Sequence, residues 1–278
     1  MYNIEMIKDN LNLFLKEDIG HYDLTSTILI DENTYGNFSL NAREDLILSG
    51  IDAALHIFRK CEPNCDIEIS VQDSNSLAAG DVIATIAGPA RNILMGERTA
   101  LNLLQHMSGI ATQTAKYVAK ISNTNAKLLD TRKTTPGLRI LEKHAVTCGG
   151  GQNHRLGLDN GVMIKDNHIA LCGGLKEAVK KVKENIPVLV KVEVECDRLD
   201  QVKEALEAGA DMLLLDNMDL STLVEAVKIV NHKIPLEASG GVSLETIGDI
   251  AHTGVDFISV GRITQSSPSV DIGLDELL

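Results

Sequence analysis

Two stretches in the second half of the chain share one pattern of apolar and polar positions. ALEAGADMLLLDN (205–217) and DIAHTGVDFISVGR (249–262) each run from a helix end through Gly, a small residue and Asp into a short apolar strand. Gly209 and Gly254 sit where a helix C-terminus favours a left-handed residue. Strands that are apolar throughout suit a parallel sheet covered on both faces. Aligned on these glycines, Asp216 and Gly261 share a rung at the C-terminal ends of their strands.

Further strands are expected at AKLLDTRK (126–133), GVMIKDN (161–167), VLVKVEVE (188–195) and PLEASGG (235–241). Between strands lie helical patterns: GGLKEAVKKVKENI, LDQVKEALEAG, DLSTLVEAVKIVN and SLETIGDIAHTG. Regular alternation from about 126 to 267 predicts an α/β fold with a parallel sheet. VLVKVEVE favours a barrel. Val188, Val190, Val192 and Val194 share one face, and Leu189, Lys191, Glu193 and Glu195 share the other. A face with three charges belongs in a lumen and mouth rather than against helices. Lys191 and Glu193 are expected to pair inside, with Glu195 at the mouth.

The first hundred residues read differently. YGNFSLNAREDLILSG and SLAAGDVIATIAGPAR alternate like antiparallel strands. GERTALNLLQHMSGIATQTAKYVAKI (96–121) is one long helical pattern with an expected break at Ser108-Gly109, where the domain boundary is placed. The predicted domains are 1–110 and 111–267, with the tail 268–278 packing on the first.

Composition narrows the class. The chain has 278 residues, 44% hydrophobic and 23% charged, with a formal net charge of −13. That balance argues against nucleic-acid binding, which would show a basic face. No apolar run approaches the ~20 residues that span a membrane. The N-terminus lacks the basic-then-apolar order of a signal peptide, so a cytoplasmic protein is expected. Its five cysteines are expected to be reduced, and Cys61 and Cys65 lack a second ligand pair for a metal. The charge also sets up a contrast. Against the acidic background, residues 131–168 gather Arg132, Lys133, Arg139, Lys143, Arg155 and Lys165, with His144, His154 and His168.

In parallel α/β folds the site lies at the C-terminal strand ends. Those ends carry Arg132 and Lys133, then Lys165, Glu195, Asp216 with Asn217, Ser239-Gly240-Gly241, and Gly261-Arg262. Each alone reads equally well as exposed polarity. Glycines after the last two strands let backbone N–H groups approach a phosphate. Glu195 and Asp216 suit acid/base work, ribose hydroxyls or magnesium, or else salt bridges to Lys165 or Lys191. Lys165 or Lys191 also suits a Schiff base in an aldolase-like barrel, although that chemistry leaves the other cations unused. Several cations together suit a ligand with several anionic groups. His21, His56, His106, His232 and His252 read as surface or core residues.

The segment LLDTRKTTPGLRILEKHAVTCGGGQNHRLGLDNGVMIKDNHI resembles the signature of quinolinate phosphoribosyltransferase. ERTALNLLQHMSGIAT, KVEVEC, LLLDN and EASGG are similar in order and spacing, so the resemblance covers nearly the whole chain. It implies an open α/β sandwich followed by an α/β barrel of fewer than eight units. It also implies a homodimer, or a larger dimer-based assembly, with shared active sites. The implied reaction joins quinolinate to phosphoribosyl pyrophosphate with magnesium, giving nicotinate mononucleotide, pyrophosphate and carbon dioxide for NAD synthesis. By this resemblance Arg132, His154, Arg155 and Lys165 surround quinolinate, with Arg98 supplied by a neighbouring subunit. Lys133 and Lys165 meet pyrophosphate. Glu195 and Asp216 hold the ribose and its magnesium, through water or substrate. Lys133, Lys165, Glu195 and Asp216 are the implied catalytic groups. Thr131, Ser239, Gly240, Gly241, Val260, Gly261 and Arg262 complete the substrate contacts, Arg262 by side chain or backbone. The alternatives are a related pyrophosphorylase associated with molybdate transport, and a non-catalytic phosphoribosyl pyrophosphate sensor.

Overall fold

Alternation along β1 (Tyr35–Ala42) buries Phe38, Leu40 and Ala42 on one face, so helices must cover that face. The computed structural model, which describes residues 2–277, supplies them. Preceding β1 are α1 (Lys8–Ile19) and α2 (Leu24–Leu29). After it come β2 (Leu46–Ile47), α3 (Ile51–Cys61), β3 (Asp66–Ile69), β4 (Ser76–Leu77), β5 (Val82–Pro89), α4 (Ala90–Lys120) and, later, α5 (Arg139–Cys148). Leu55 and Phe58 of α3 are fully buried, and α3 packs on α1. Residues 2–115, Thr135–Gly150 and residues 263–277 form one compact unit, and Lys116–Thr134 with Gly151–Arg262 form a second.

Helix α4 runs unbroken through Ser108-Gly109, contrary to the expected interruption. Both residues are packing contacts. The Ser108 hydroxyl accepts from Ser49 N at 3.0 Å. A Cβ on Gly109 would stand 2.1 Å from the Pro268 carbonyl oxygen, so only glycine lets the 268–270 segment pass.

The second unit alternates strand and helix: β6 (Lys127–Leu129), β7 (Val162–Ile164), α6 (Asp166–Cys172), α7 (Leu175–Lys183), β8 (Val192–Cys196), α8 (Leu199–Glu207), β9 (Met212–Asp216), α9 (Leu220–Val230), β10 (Leu236–Ser239), α10 (Ile247–His252) and β11 (Phe257–Ser259). All six strands are parallel, in the order β6-β11-β10-β9-β8-β7, and Gln152 bridges to Leu129 beyond β6. His154, just past that bridge, contacts Glu193 on β8 and Glu237 on β10. In a flat sheet with strands ~4.8 Å apart, the Gln152 edge would lie roughly 24 Å from β8. The sheet is therefore rolled into a barrel. The chain ends with α11 (Arg262–Gln265) and β12 (Ile272–Glu276), which pairs antiparallel with β1 in the first unit.

The repeated Gly–small–Asp unit is a clasp. Asp211 N donates to the Val192 carbonyl, and its carboxylate accepts from Val192 N at 2.8 Å. Asp256 does the same for Leu236, the carboxylate accepting at 2.9 Å. Each aspartate pins the first residue of the preceding strand.

The clasp also shortens a strand. Residues 188–190 do not join the sheet: Val188 and Leu189 are 96% and 92% exposed, and Val190 N turns back to the Pro187 carbonyl. Strand β8 starts where Asp211 can satisfy it. Glu193 and Glu195 do face inward, but Lys191 is exposed and the partner of Glu193 is His154, correcting the expected Lys191–Glu193 pair. The register corrects another expectation. Asp216 pairs with Ser239, and Ala238 with Ile258, so the rung of Asp216 meets β11 at Ser259, two residues short of Gly261.

Candidate active site

At the C-terminal ends of the barrel strands lies a cavity of about 350 Å³. Thr131, Arg132 and Lys133 reach it after β6, and His154 and Arg155 after the Gln152 bridge. Lys165 follows β7, Glu195 belongs to β8, Asp216 ends β9 and Ser239 ends β10. All nine were expected from the sequence. Asp130, Met163, Leu214, Glu237 and Ser259 also line it and were missed. Gly240, Gly241, Val260, Gly261 and Arg262 follow β10 and β11 but are not among the lining residues, and Arg98 lies on α4 in the first unit.

The cationic stretch divides between the two units. Arg132, Lys133, Arg155 and Lys165 line the barrel cavity, whereas Lys143 is buried in α5 of the first unit. His144 pairs with Asp73 in that unit. His168 accepts from Lys165 N at 3.0 Å and caps α6.

The cations are held from behind. Asp130, fully buried, accepts from His154 N at 2.8 Å and from Asn153 Nδ2 at 2.7 Å. Arg155 Nη1 donates to the Gly161 carbonyl at 3.0 Å. Burial, and then the charge of Arg132, push the Arg155 guanidinium down from its ordinary value. Arg132 and Arg155 thus bring two like charges to one cavity. Lys165 and Glu195 form an ion pair.

His154 sits among buried carboxylates. Its Nε2 is 3.0 Å from Glu193 and 3.3 Å from Glu237, which are 6% and 1% exposed. Burial disfavours a charged ring, but the two carboxylates outweigh it and push the pKa to about 10. Arg155 N, however, donates to Nδ1 at 2.8 Å. That contact needs an unprotonated Nδ1, so Nε2 carries the proton. Burial, together with the nearby Glu237 charge, pushes the Glu193 carboxyl up as well.

Asp216 is oriented by its neighbour. Asn217 Nδ2 donates to Asp216 Oδ2 at 2.6 Å, and Asn217 N donates to the Ser239 carbonyl at 2.9 Å. Asn217 adopts φ +53°. Its side chain presses on Gly240, where a Cβ would stand 2.2 Å from Asn217 Oδ1. Lys133 lies against Gly261, where a Cβ would stand 2.8 Å from Lys133 Cδ. Val260 is buried and its N–H donates to the Leu129 carbonyl. Arg262 is exposed at the start of α11.

Comparison with known proteins adds a second, independent line. Residues 110–275 match the family model described as quinolinate phosphoribosyl transferase, C-terminal domain, and residues 23–108 match its N-terminal domain. A probable nicotinate-nucleotide pyrophosphorylase [carboxylating] from Bacillus subtilis (strain 168) is 43% identical, covering 98% of this chain and 94% of its own. The nicotinate-nucleotide pyrophosphorylase [carboxylating] of Mycobacterium leprae (strain TN) is 40% identical, with 96% of each chain covered. The solved structure of the nicotinate-nucleotide pyrophosphorylase from Francisella tularensis superimposes with a TM-score of 0.96 at 39% identity, covering 100% of this chain and 98% of that one.

Proposed function

The chain belongs to the quinolinate phosphoribosyltransferase family, and we propose that its barrel cavity joins quinolinate to phosphoribosyl pyrophosphate, releasing nicotinate mononucleotide, pyrophosphate and carbon dioxide in NAD synthesis. The observation that carries this reading is the convergence of Arg132, Arg155, Lys133 and Lys165 on one small cavity. A dicarboxylate answers that concentration of positive charge. Arginine forks pair two-point with carboxylates, so Arg132 and Arg155 meet the two carboxylates of quinolinate. His154 lines the same pocket and fixes the Arg155 backbone through Nδ1.

Lys133 and Lys165 meet the pyrophosphate. The backbone after β10 and β11, at Gly240, Gly241, Val260, Gly261 and Arg262, with Ser239, takes the 5′-phosphate; positive φ at Gly240 and Gly241 supports this use. Glu195 and Asp216 face the ribose. Positive charge grows on the anomeric carbon as its bond to pyrophosphate breaks, and fixed carboxylates beside it lower that barrier. The pyridine nitrogen then bonds to that carbon. The pyridinium draws the electron pair of the adjacent C–carboxylate bond, carbon dioxide leaves, and the ring carbon takes a proton from solvent.

The donor set fits magnesium, which takes one or two carboxylates together with water and substrate phosphates. Asp216 and, through water, Glu195 would hold it. When bound, magnesium supplies positive charge to the departing pyrophosphate. We also place the protein in the cytoplasm, in a homodimer whose sites each use Arg98 of the partner subunit. Exposed Ile28 and Leu29 on α2 support an assembly. No helix among the described residues is long and apolar enough to cross a membrane.

Titration calorimetry with quinolinate alone tests the assignment. Arg155→Ala should weaken quinolinate binding by roughly 2–5 kcal/mol, the scale for removing one partner of a buried charge pair. Phosphoribosyl pyrophosphate affinity should change much less. Unaltered quinolinate affinity would refute the role of Arg155.

A further inference from the structure

The first unit contains a cluster that the proposed reaction does not use. His144 and Cys148 lie one turn apart on α5, and Asp73 faces them from the loop between β3 and β4. His144 Nε2 is 2.7 Å from Asp73 Oδ2 and 3.3 Å from Cys148 Sγ, and Sγ is 3.9 Å from Oδ2. One Nε2–H cannot satisfy both neighbours. Three ligand atoms of different chemistry therefore converge on one point.

We propose that Asp73, His144 and Cys148 form a binding site for a four-coordinate late transition cation, zinc being the best match. Metal bonds of about 2.0 Å to N and O and about 2.3 Å to S place tetrahedral ligand atoms roughly 3.3–3.5 Å apart. The present separations bracket that range, and a shift of a few tenths of an ångström in each side chain meets it. Mixed O, N and S donors select zinc over calcium or magnesium. The charges also close. An aspartate, a thiolate and a neutral imidazole neutralise a divalent cation, which suits a half-buried place.

The proton count is simple. Cys148 releases its thiol proton to solvent as the S–metal bond forms. The imidazole gives up its Nε2 proton to solvent as the N–metal bond forms and keeps one proton on Nδ1, a buried atom without a hydrogen-bond partner. Asp73 is already aimed. Its Oδ1 accepts from Gly50 N at 2.9 Å and Ile51 N at 3.1 Å, the kind of support that orients a ligand carboxylate. The Tyr2 ring packs edge-on against His144, with centroids 4.8 Å apart, and covers the site. The side chains of His144 and Asp73 are 14% and 21% exposed, which leaves an entry path and a fourth position for water. A bound ion would clip the start of α3, through Asp73, to α5.

Cobalt(II) is the probe. The full chain, first stripped with chelator, should bind one cobalt with the visible absorption of a four-coordinate centre and a near-ultraviolet thiolate band. Added zinc should bleach both. Cys148→Ser should lose the thiolate band while keeping turnover, since Cys148 lies outside the barrel cavity; Cys61→Ser should keep both. Zinc should raise the melting temperature of the wild type and not that of Cys148→Ser. The proposal is overturned by a wild-type chain with no thiolate band, by a band that survives Cys148→Ser, or by an equal zinc shift in both proteins. A protein with no quinolinate activity but with this band would refute the functional reading alone.

Discussion

At residue scale the sharpest constraint is the pair Asn217 and Gly240. Both hold positive φ, and the Asn217 amide occupies the space a Gly240 side chain would need. Gly240→Ala must displace Asn217, and with it the hydrogen bond that orients Asp216. Turnover should fall at least about tenfold, equivalent to ~1.4 kcal/mol of lost transition-state stabilisation. Gly209→Ala, outside the site, is the control. It also has positive φ but nothing within 4 Å of an added Cβ, so its cost is a backbone strain of roughly 1–2 kcal/mol and turnover should hold. Asp216→Asn keeps shape and removes charge. Steady-state assays should show lower turnover and a higher magnesium requirement, with quinolinate affinity unaltered in the absence of the other substrate. Unaltered magnesium dependence would make Asp216 structural. The residues of this site differ in how readily the chain reveals them. Arg132, Lys165 and Asp216 stand at the ends of apolar runs, where charge is conspicuous. Glu237 lies inside LEASGG, and its only signal is an acid within an otherwise apolar strand. Asp130 was hidden the same way, between Leu129 and Thr131.

At the scale of elements, the repeat that betrays the barrel also fastens it. Asp211→Ala and Asp256→Ala each remove a carboxylate that satisfies the first N–H of a strand. Each should lower stability by about 1.5–3 kcal/mol in urea denaturation, the range for a hydrogen bond to a charged group. Unchanged midpoints would show that water replaces the clasp. For Asp211 the clasp depends on pH. Burial pushes its carboxyl up, but the bonds from Lys183 and Val192 N outweigh this and hold it below the ordinary value. The folded pKa is lower than the unfolded one, so this stability is complete above the unfolded value near ~3.9. It is lost as pH falls through the folded value. The stability gap between wild type and Asp211→Ala should therefore narrow in acid below about pH 4 and stay constant above it. Strand and helix order followed from periodicity because covered parallel strands carry little else. Ends did not. The alternation of VLVKVEVE continues past the point where Asp211 begins the sheet. Ser108-Gly109 looks like a helix break because the contacts that require it lie distant in sequence, at Ser49 and Pro268.

The whole molecule is acidic, with formal charge −13, yet its cavity is ringed by cations. Local field, not net charge, selects a small anionic substrate. No periodicity could show that the cationic stretch splits between two units, because the split is a property of packing. The proposed dimer makes a prediction at this scale. Arg98→Ala and Lys165→Ala proteins should each be nearly inactive. In a mixed dimer one site combines an intact barrel with Arg98 of the partner subunit, and the other site carries both lesions. Equal mixing with subunit exchange should restore activity to about a quarter of wild type, given random pairing in two-fold dimers. A mixture that stays inactive, with exchange confirmed by mass spectrometry, would mean that Arg98 serves its own subunit. The central claim is the reaction itself. Quinolinate labelled in the carboxylate next to the ring nitrogen should be incubated with the protein, phosphoribosyl pyrophosphate and magnesium. The account predicts labelled carbon dioxide and nicotinate mononucleotide in equal amounts, with pyrophosphate. Binding of phosphoribosyl pyrophosphate with no pyrophosphate, mononucleotide or labelled gas formed would contradict it.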